Sequence, residues 1–216
     1  MIGQGVLREC LLDADVTAVL SVARRTTGKS DAKLRELVHA DFSDFSSIAS
    51  ELTGYDACLF CLGISSLGLG EDEYRRVTYD TAVAAAKTLL ERNSELTFVF
   101  VSGAGTDSTG SGRVMWARVK GQTENAILAM PFKSAYVVRP AAVRPQHGVS
   151  SRATNTRVAY ALFGWLLPLA KAIAPSYVTT TDRLGRAMVR LAKQGTNKRV
   201  LESADIDELG KEPVSS

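Results

Sequence analysis

Cysteine, histidine and proline are all scarce in this 216-residue chain, with three Cys, two His and six Pro. Three cysteines cannot build a disulfide framework, and His39 and His147 belong to no short Cys/His/Asp cluster with metal-ligand spacing, so neither a stapled mini-protein nor a zinc or iron centre is expected. An excess of one charge is lacking too. Lys and Arg number 26 against 23 Asp and Glu, a formal net charge of +3. The cations are spread along the chain, so no nucleic-acid footprint is expected. No charged and apolar leader pattern opens Met1-Ile2-Gly3-Gln4-Gly5, and with few cysteines this gives the expectation of a reducing, cytoplasmic setting. The longest apolar run, 158–174, is broken by Pro168 and interrupted by Lys171, and it falls short of the roughly 20 residues a membrane span needs. A buried or lid-forming helix is expected there ahead of membrane attachment. What the chain does have is 45% hydrophobic residues, too many for disorder and enough, at this length, for one α/β domain with a substantial core.

The periodicities alternate. Val6, Leu7, Cys10 and Leu11 recur at helical spacing and predict a helix of roughly ten residues from near Gly3 to the Asp13-Ala14-Asp15 stop. Strands are predicted over Thr17–Ala23, Leu34–Ala40, Asp56–Leu62, Thr97–Val101 and Ala135–Arg139, with a short late one at Arg199–Leu201. Helices are predicted over Ser46–Leu52, Glu71–Arg92, Arg113–Met130, Thr181–Gln194 and Ile206–Leu209. There is no hairpin signal, so the fold class is α/β, a doubly wound and mostly parallel sheet with helices on both faces. The expected organisation is one nucleotide-binding unit over 1–216, with 141–216 shaping the substrate side.

In such a sheet ligands sit beyond the carboxyl ends of the strands. The residues there are Arg24-Arg25, Asp41-Phe42, Gly63-Ile64-Ser65-Ser66, Ser102-Gly103-Ala104-Gly105 and Pro140-Ala141-Ala142. Glycine or small residues follow the fourth and fifth of the predicted strands, as a closely approached nucleotide requires. The segments MIGQGVLREC, VARR, HADF, CLGISS, VSGAG, ARVKGQTEN and RPAAVRP, in this order and spacing, resemble the atypical short-chain dehydrogenase/reductase family, NAD(P)-binding Rossmann proteins of the epimerase/dehydratase type. The likeness covers essentially the whole chain and is most specific at VSGAG followed by ARVKGQTEN.

That resemblance implies roles residue by residue. Gly3 and Gly5 match the last two glycines of the turn that holds the pyrophosphate at a helix N-terminus. Arg24 and Arg25 stand where an acid would take the ribose 2′-OH of NAD and an arginine a 2′-phosphate, which favours NADP over NAD. Asp41 and Phe42 would flank the adenine, Leu62 and Gly63 would pass under its ribose, and Pro140 and Ala142, beyond the last of these strand ends, would also bind the cofactor. Ser102 and Lys120 fall on the catalytic serine and lysine positions. Trp116 stands where the family has its proton-transferring tyrosine, and indole N–H is a donor only, so the ordinary reductase mechanism lacks its acid. Two functions stay open: an NADP-dependent oxidoreductase or epimerase/dehydratase-like protein acting on a small carbonyl or alcohol, and a non-catalytic NAD(P)-binding sensor or docking module.

Other candidates read as structural. Tyr74, Tyr79, Tyr177, Asp107 and Ser111 are expected to be packing or loop residues, the last two in a flexible-looking loop. Cys58 and Cys61, three apart on a strand, should face opposite sides and form two buried thiols rather than a redox pair. His147 is a candidate for the substrate pocket. Finally, a sheet ordered 3-2-1-4-5-6 has its first strand at the centre, and no strand is predicted before Gly3. About ten further residues, an apolar strand and the start of a glycine turn, are expected ahead of Met1.

Overall fold

A computed structural model describes residues 1–148 and 178–211. The run 158–174 and Tyr177 lie outside the described residues. Helix α1 (Ile2–Leu12) is followed by strands β1 (Val19–Ala23) and β2 (Leu34–Val38). A 3-10 turn over Ser46–Leu52 leads to β3 (Ala57–Phe60). Helices α2 (Glu71–Arg75) and α3 (Thr81–Arg92) are joined without a break by a π-helical turn at Arg76–Asp80. Then come β4 (Thr97–Val101), α4 (Met115–Ala129), β5 (Ser134–Arg139) and β6 (Ala142–Arg144). After the undescribed stretch follow β7 (Val178–Thr180), α5 (Thr181–Gln194), β8 (Val200–Glu202) and α6 (Ser203–Leu209).

Every strand pair among the described residues is parallel. The layer is in two pieces: β1 pairs with β2, and β3-β4-β5-β8 form a second sheet, while β6 and β7 make a small separate pair. Two apolar cores cover the two faces. The first joins α1, α5 and α6 through Val6, Leu184, Met188 and Ile206 to Val99, Val101 and Val138. The second joins the 3-10 turn, α3 and α4 through Ile48, Ala82, Ala86 and Ile127 to Phe98, Phe100 and Val137. All five residues of β4 are buried, the expected state of a strand covered on both faces. The doubly wound α/β architecture is therefore as the alternating periodicities predict.

Three local readings change. Gly3 and Gly5 lie inside the first turns of α1 rather than in a loop. Ser46–Leu52 is a tighter 3-10 helix. The pair β6/β7 carries no sequence signal, because strands of three residues are too short to show alternation. Cys58 does face the second core and Cys61 the first. Burial pushes the Cys10 and Cys58 thiols up to about 12 and raises Cys61 as well, so none is a thiolate near neutral pH.

Helix α1 meets α5 at glycines. A Cβ on Gly185 would lie 2.6 Å from Glu9 Cγ and 3.2 Å from the Gly5 carbonyl oxygen, and one on Gly5 would lie 2.7 Å from Thr181 Cβ. Buried acids of α1 are neutralised across this contact. Lys193 Nζ sits 3.2 Å from both Asp13 oxygens, and Arg186 Nη1 3.5 Å from Glu9 Oε2, while Arg8 pairs with Glu9 Oε1. Gly185→Ala should therefore cost about 1–3 kcal/mol by overpacking, measured by urea unfolding. Gly63→Ala, where a Cβ meets nothing within 4 Å, should stay within about 0.5 kcal/mol of wild type.

Candidate functional site

The carboxyl ends of β4 and β5 are tied together: Ser102 N–H donates to the Val138 carbonyl at 2.8 Å and Ala104 N–H to Pro140 at 3.1 Å. This fixes the Ser102-Gly103-Ala104-Gly105 turn over the sheet end. The following loop is built, not floppy, contrary to the sequence reading. Asp107 accepts from the N–H groups of Thr109, Ser111 and Gly112 and from the Thr109 hydroxyl, and these donors hold its carboxyl below the usual range. Its own N–H donates to the Ala117 carbonyl of α4 at 3.1 Å. The approach is so close that a Cβ on Gly121 would stand 1.7 Å from the Asp107 carbonyl oxygen. Gly121 is a residue the sequence reading missed, although its place one position after Lys120 inside a helix is a signal, since glycine there costs helix stability.

Ser102 is buried, and its hydroxyl lies 3.1 Å from that of Thr106. Thr106 uses its own proton on the Gly103 carbonyl at 2.7 Å, so the Ser102 proton points at Thr106. To donate to a substrate oxygen, Ser102 has to turn from this partner.

Lys120 is half-buried on α4, with Nζ 5.7 Å from the centre of the Phe100 ring on β4. Desolvation pulls its ammonium down to about 8, against the opposing pull of Glu124 one helical turn on. Glu124 is itself held. Its carboxylate, with 2% of the side chain exposed, takes Arg139 Nε at 3.0 Å and Arg139 Nη2 at 2.5 Å in a bidentate pair. Arg139 also reaches Glu202 of β8 at 3.0 Å and the Ser108 hydroxyl at 2.7 Å. The network thus locks α4, β5, β8 and the Asp107 loop around the base of Lys120. Trp116 leans on the β4 turn, its Cη2 3.4 Å from where a Cβ on Gly105 would be. Lys120, Trp116 and Ser102 thereby gather around one strand end.

The expected adenine-side residues lie at the ends of other strands. Arg24 and Arg25 follow β1 and are exposed; Asp41 is exposed and takes the N–H and hydroxyl of Ser43 in a tight turn. Phe42 is half-buried against His39 and Phe45. Leu62 is half-buried after β3, and Gly63 is open. Pro140 is buried and Ala142 half-buried beyond β5. Helix α1 has no side-chain cap and no acid in its first turn, so its leading N–H groups fit an anionic group. Gly5, however, is spent on the contact with Thr181, and Gly3 faces Cys61, so these glycines serve packing. That is the third role such glycines have beside a dinucleotide.

The remaining candidates separate. Tyr74 is core, and burial raises its phenol. Tyr79 lies under the Arg75 guanidinium. His147 is exposed in a left-handed backbone conformation (φ 52°), with Nε2 3.6 Å from Asp182 Oδ2 at the start of α5.

No family model matches the chain. It is similar to the mitochondrial protein FMP52 of Candida albicans, 24% identical over 205 residues covering 91% of this chain and 86% of that protein. It is also similar to the mitochondrial protein fmp52 of Emericella nidulans, 25% identical with 98% and 95% covered. These relatives, both named as mitochondrial proteins, overturn the cytoplasmic expectation, which rested on few cysteines, a feature that does not choose between cytosol and mitochondrion. Among solved structures, the chain is similar to a putative NAD-dependent epimerase/dehydratase from Bacillus halodurans (14% identity, TM-score 0.62, 96% of this chain and 94% of that one). It is likewise similar to a dTDP-glucose 4,6-dehydratase from Streptomyces venezuelae with NAD bound (15%, TM-score 0.63, 93% and 70%). The fold is Rossmann-like.

Proposed function

We propose that the chain is a mitochondrial NADP-binding oxidoreductase, or related epimerase/dehydratase-like protein, acting on a small carbonyl or alcohol. The observation that carries this reading is Lys120, a lysine titrating near 8 beside the same strand end as Ser102 and Trp116. The exposed Arg24-Arg25 pair supports a 2′-phosphate, and the fold shared with an NAD-bound dehydratase supports a nicotinamide cofactor.

A bound nicotinamide cofactor would supply hydride; the protein has to place the substrate and move one proton. Ser102, released from Thr106, donates a hydrogen bond to the substrate oxygen and keeps its proton, while the one proton transferred to that oxygen comes from the Lys120 ammonium, which is left as a neutral amine. Trp116 cannot give a proton, but an ammonium with a pKa near 8 can. Burial has brought Lys120 into the range in which lysine serves as acid or base, and Glu124, fixed by Arg139, keeps it from losing the proton altogether. Trp116 then acts as a wall that excludes water from the β4 turn.

The second reading, a cofactor-binding protein without turnover, rests on Trp116 standing where the resembled family has its tyrosine. Turnover by wild type rejects it. Turnover appearing only in Trp116→Tyr supports it and removes Lys120 as the acid.

Three outcomes are expected. NADPH should bind in fluorescence titration, and Arg24→Ala/Arg25→Ala should weaken NADPH about tenfold or more while sparing NADH, as loss of charge-assisted phosphate contacts requires; equal loss for both defeats the 2′-phosphate assignment. With a carbonyl substrate, kcat should fall with rising pH around 8, and Lys120→Met should lose turnover at every pH. In the absence of ligands, the lowered Lys120 pKa means that the unfolded chain holds the proton more tightly. Stability should therefore rise with pH between about 8 and the ordinary value of 10.5 by a component missing from Lys120→Met. Below pH 8 that variant should be more stable than wild type, by on the order of 1 kcal/mol. A variant less stable than wild type below pH 8 shows that Lys120 is not desolvated.

A further inference from the structure

The loop that joins β1 to β2 carries the arginine pair, and a side chain from outside the loop holds it. Arg24, Arg25 and Thr26 are exposed, as are Gly28, Lys29 and Ser30, while Thr27 between them is half-buried. Thr27 is where the loop is fastened: its N–H donates to Glu36 Oε1 at 2.7 Å. Its hydroxyl accepts from the Lys29 N–H at 3.2 Å across Gly28, whose φ of 73° turns the chain back. Among the described residues, the Glu36 bond is the one hydrogen bond that ties residues 24–30 to another part of the chain. The end of the loop is fixed separately, by Asp31 accepting from the N–H groups of Lys33 and Leu34.

Glu36 comes from β2, where it stands in register with Ser21 of β1. Val19 packs on the first core and Leu20 and Val22 on the second, so Ser21 faces the α1 side of the sheet and Glu36 faces it too. Glutamate is a poor strand former, and a half-buried carboxylate needs a donor. The donor here is the loop itself, reached past the end of β1.

We propose that Glu36 is a positioning residue for the choice of cofactor: by holding Thr27 it presets the loop so that the Arg24 and Arg25 guanidinia stand ready at the end of β1 for a 2′-phosphate. This rests on the 2′-phosphate reading given above. Two long cations on an untethered loop would have to be ordered at the moment of binding, and that ordering subtracts from affinity. A free carboxylate beside a phosphate site would also compete for both arginines; the Thr27 N–H gives it another partner. The loop needs an acceptor at position 36 rather than a charge, so glutamine can replace the glutamate.

The test compares adenosine 2′,5′-bisphosphate with AMP by calorimetric titration, since the two differ at the ribose 2′ position alone and neither requires turnover. The 216-residue chain should bind the bisphosphate more tightly. Glu36→Leu should lower the ratio of the two affinities about threefold to tenfold, with AMP affinity and Tm kept. Glu36→Thr, too short to reach Thr27 but suited to a strand, should do likewise, and Glu36→Gln should behave as wild type. Amide exchange at Thr27 should be faster in the Leu and Thr variants and unchanged in the Gln variant. The proposal is overturned if the Leu and Thr variants keep the wild-type ratio, or if they raise it, which makes the carboxylate a competitor of the phosphate. It is equally overturned if Glu36→Gln lowers the ratio as far as Glu36→Leu. The underlying reading fails in a different way. If wild type does not prefer the bisphosphate, or if the preference survives Arg24→Ala/Arg25→Ala, there is no 2′-phosphate site for Glu36 to serve and both fall. A preference lost with the arginines but kept in the Leu and Thr variants defeats the role of Glu36 alone.

Discussion

The contact of α1 with α5 through Gly5 and Gly185 sets the geometry on which the rest of the molecule depends. Because neither glycine has a side chain, the two helices approach until Glu9 lies over Gly185 and Thr181 over Gly5. At that distance the acids of α1 are cut off from water. Asp13 has 0% of its side chain exposed and Glu9 5%, and each has to find a cation. Lys193 and Arg186 of α5 provide them. Such pairs add little net stability, since desolvation offsets much of the attraction, but they fix the register of α1 against α5 and hence where the amino end of α1 points. It points beside Cys61, at the carboxyl end of the sheet, which is where an anion-binding helix terminus has to be.

A second fixed point governs the other side of the sheet end. Arg139 is the last residue of β5, and its guanidinium joins Glu124, Glu202 and Ser108. Glu124 would otherwise be a buried carboxylate one turn from Lys120, free to take the ammonium as its own partner. Bidentate pairing with Arg139 commits it elsewhere, so Lys120 feels Glu124 as a weak field while desolvation dominates. Burial therefore sets the lysine's pKa, lowered to about 8, and Glu124 opposes it only weakly. Gly121 belongs to the same arrangement, because only a residue without Cβ lets the Asp107 loop close over α4 there.

Legibility followed the physics of each element. The buried run Thr97–Val101 and the amphipathic Thr181–Gln194 have lengths and periods that tertiary contacts need not alter, and both are found where the periodicity puts them. The pair β6/β7 is too short to carry a period. Gly3 and Gly5 look like loop glycines in sequence because a backbone-exposing turn and close packing call for the same residue; only their distant neighbours, Cys61 for Gly3 and Thr181 for Gly5, tell the two cases apart. Ser102 and Lys120 were visible from the resemblance, but the Thr106 bond that holds the Ser102 proton and the Arg139 pairing that frees Lys120 are long-range or conformational facts with no local sequence pattern. Asp107 shows the converse. Its Ser/Gly/Thr surroundings suggest mobility, whereas short side chains at that spacing are what an aspartate needs to collect backbone N–H groups.

With an indole at position 116, where the resembled family has a tyrosine, the neighbouring groups have a different task. A tyrosine there would be the proton donor, and a lysine beside it would best remain fully cationic to lower the phenol's pKa. With indole in that place, a permanently charged lysine would hold its proton too tightly to be a good acid near neutral pH. Burial of Lys120 against Phe100 has the opposite effect, weakening its hold on the proton by destabilising the ammonium. Trp116 packs on the β4 turn at Gly105, and Lys120 lies over the Phe100 ring of β4 with its ammonium made more acidic by burial. A site built this way has reason to keep Glu124 tied to Arg139, since a free carboxylate beside Lys120 would strengthen its hold on the proton that burial weakens.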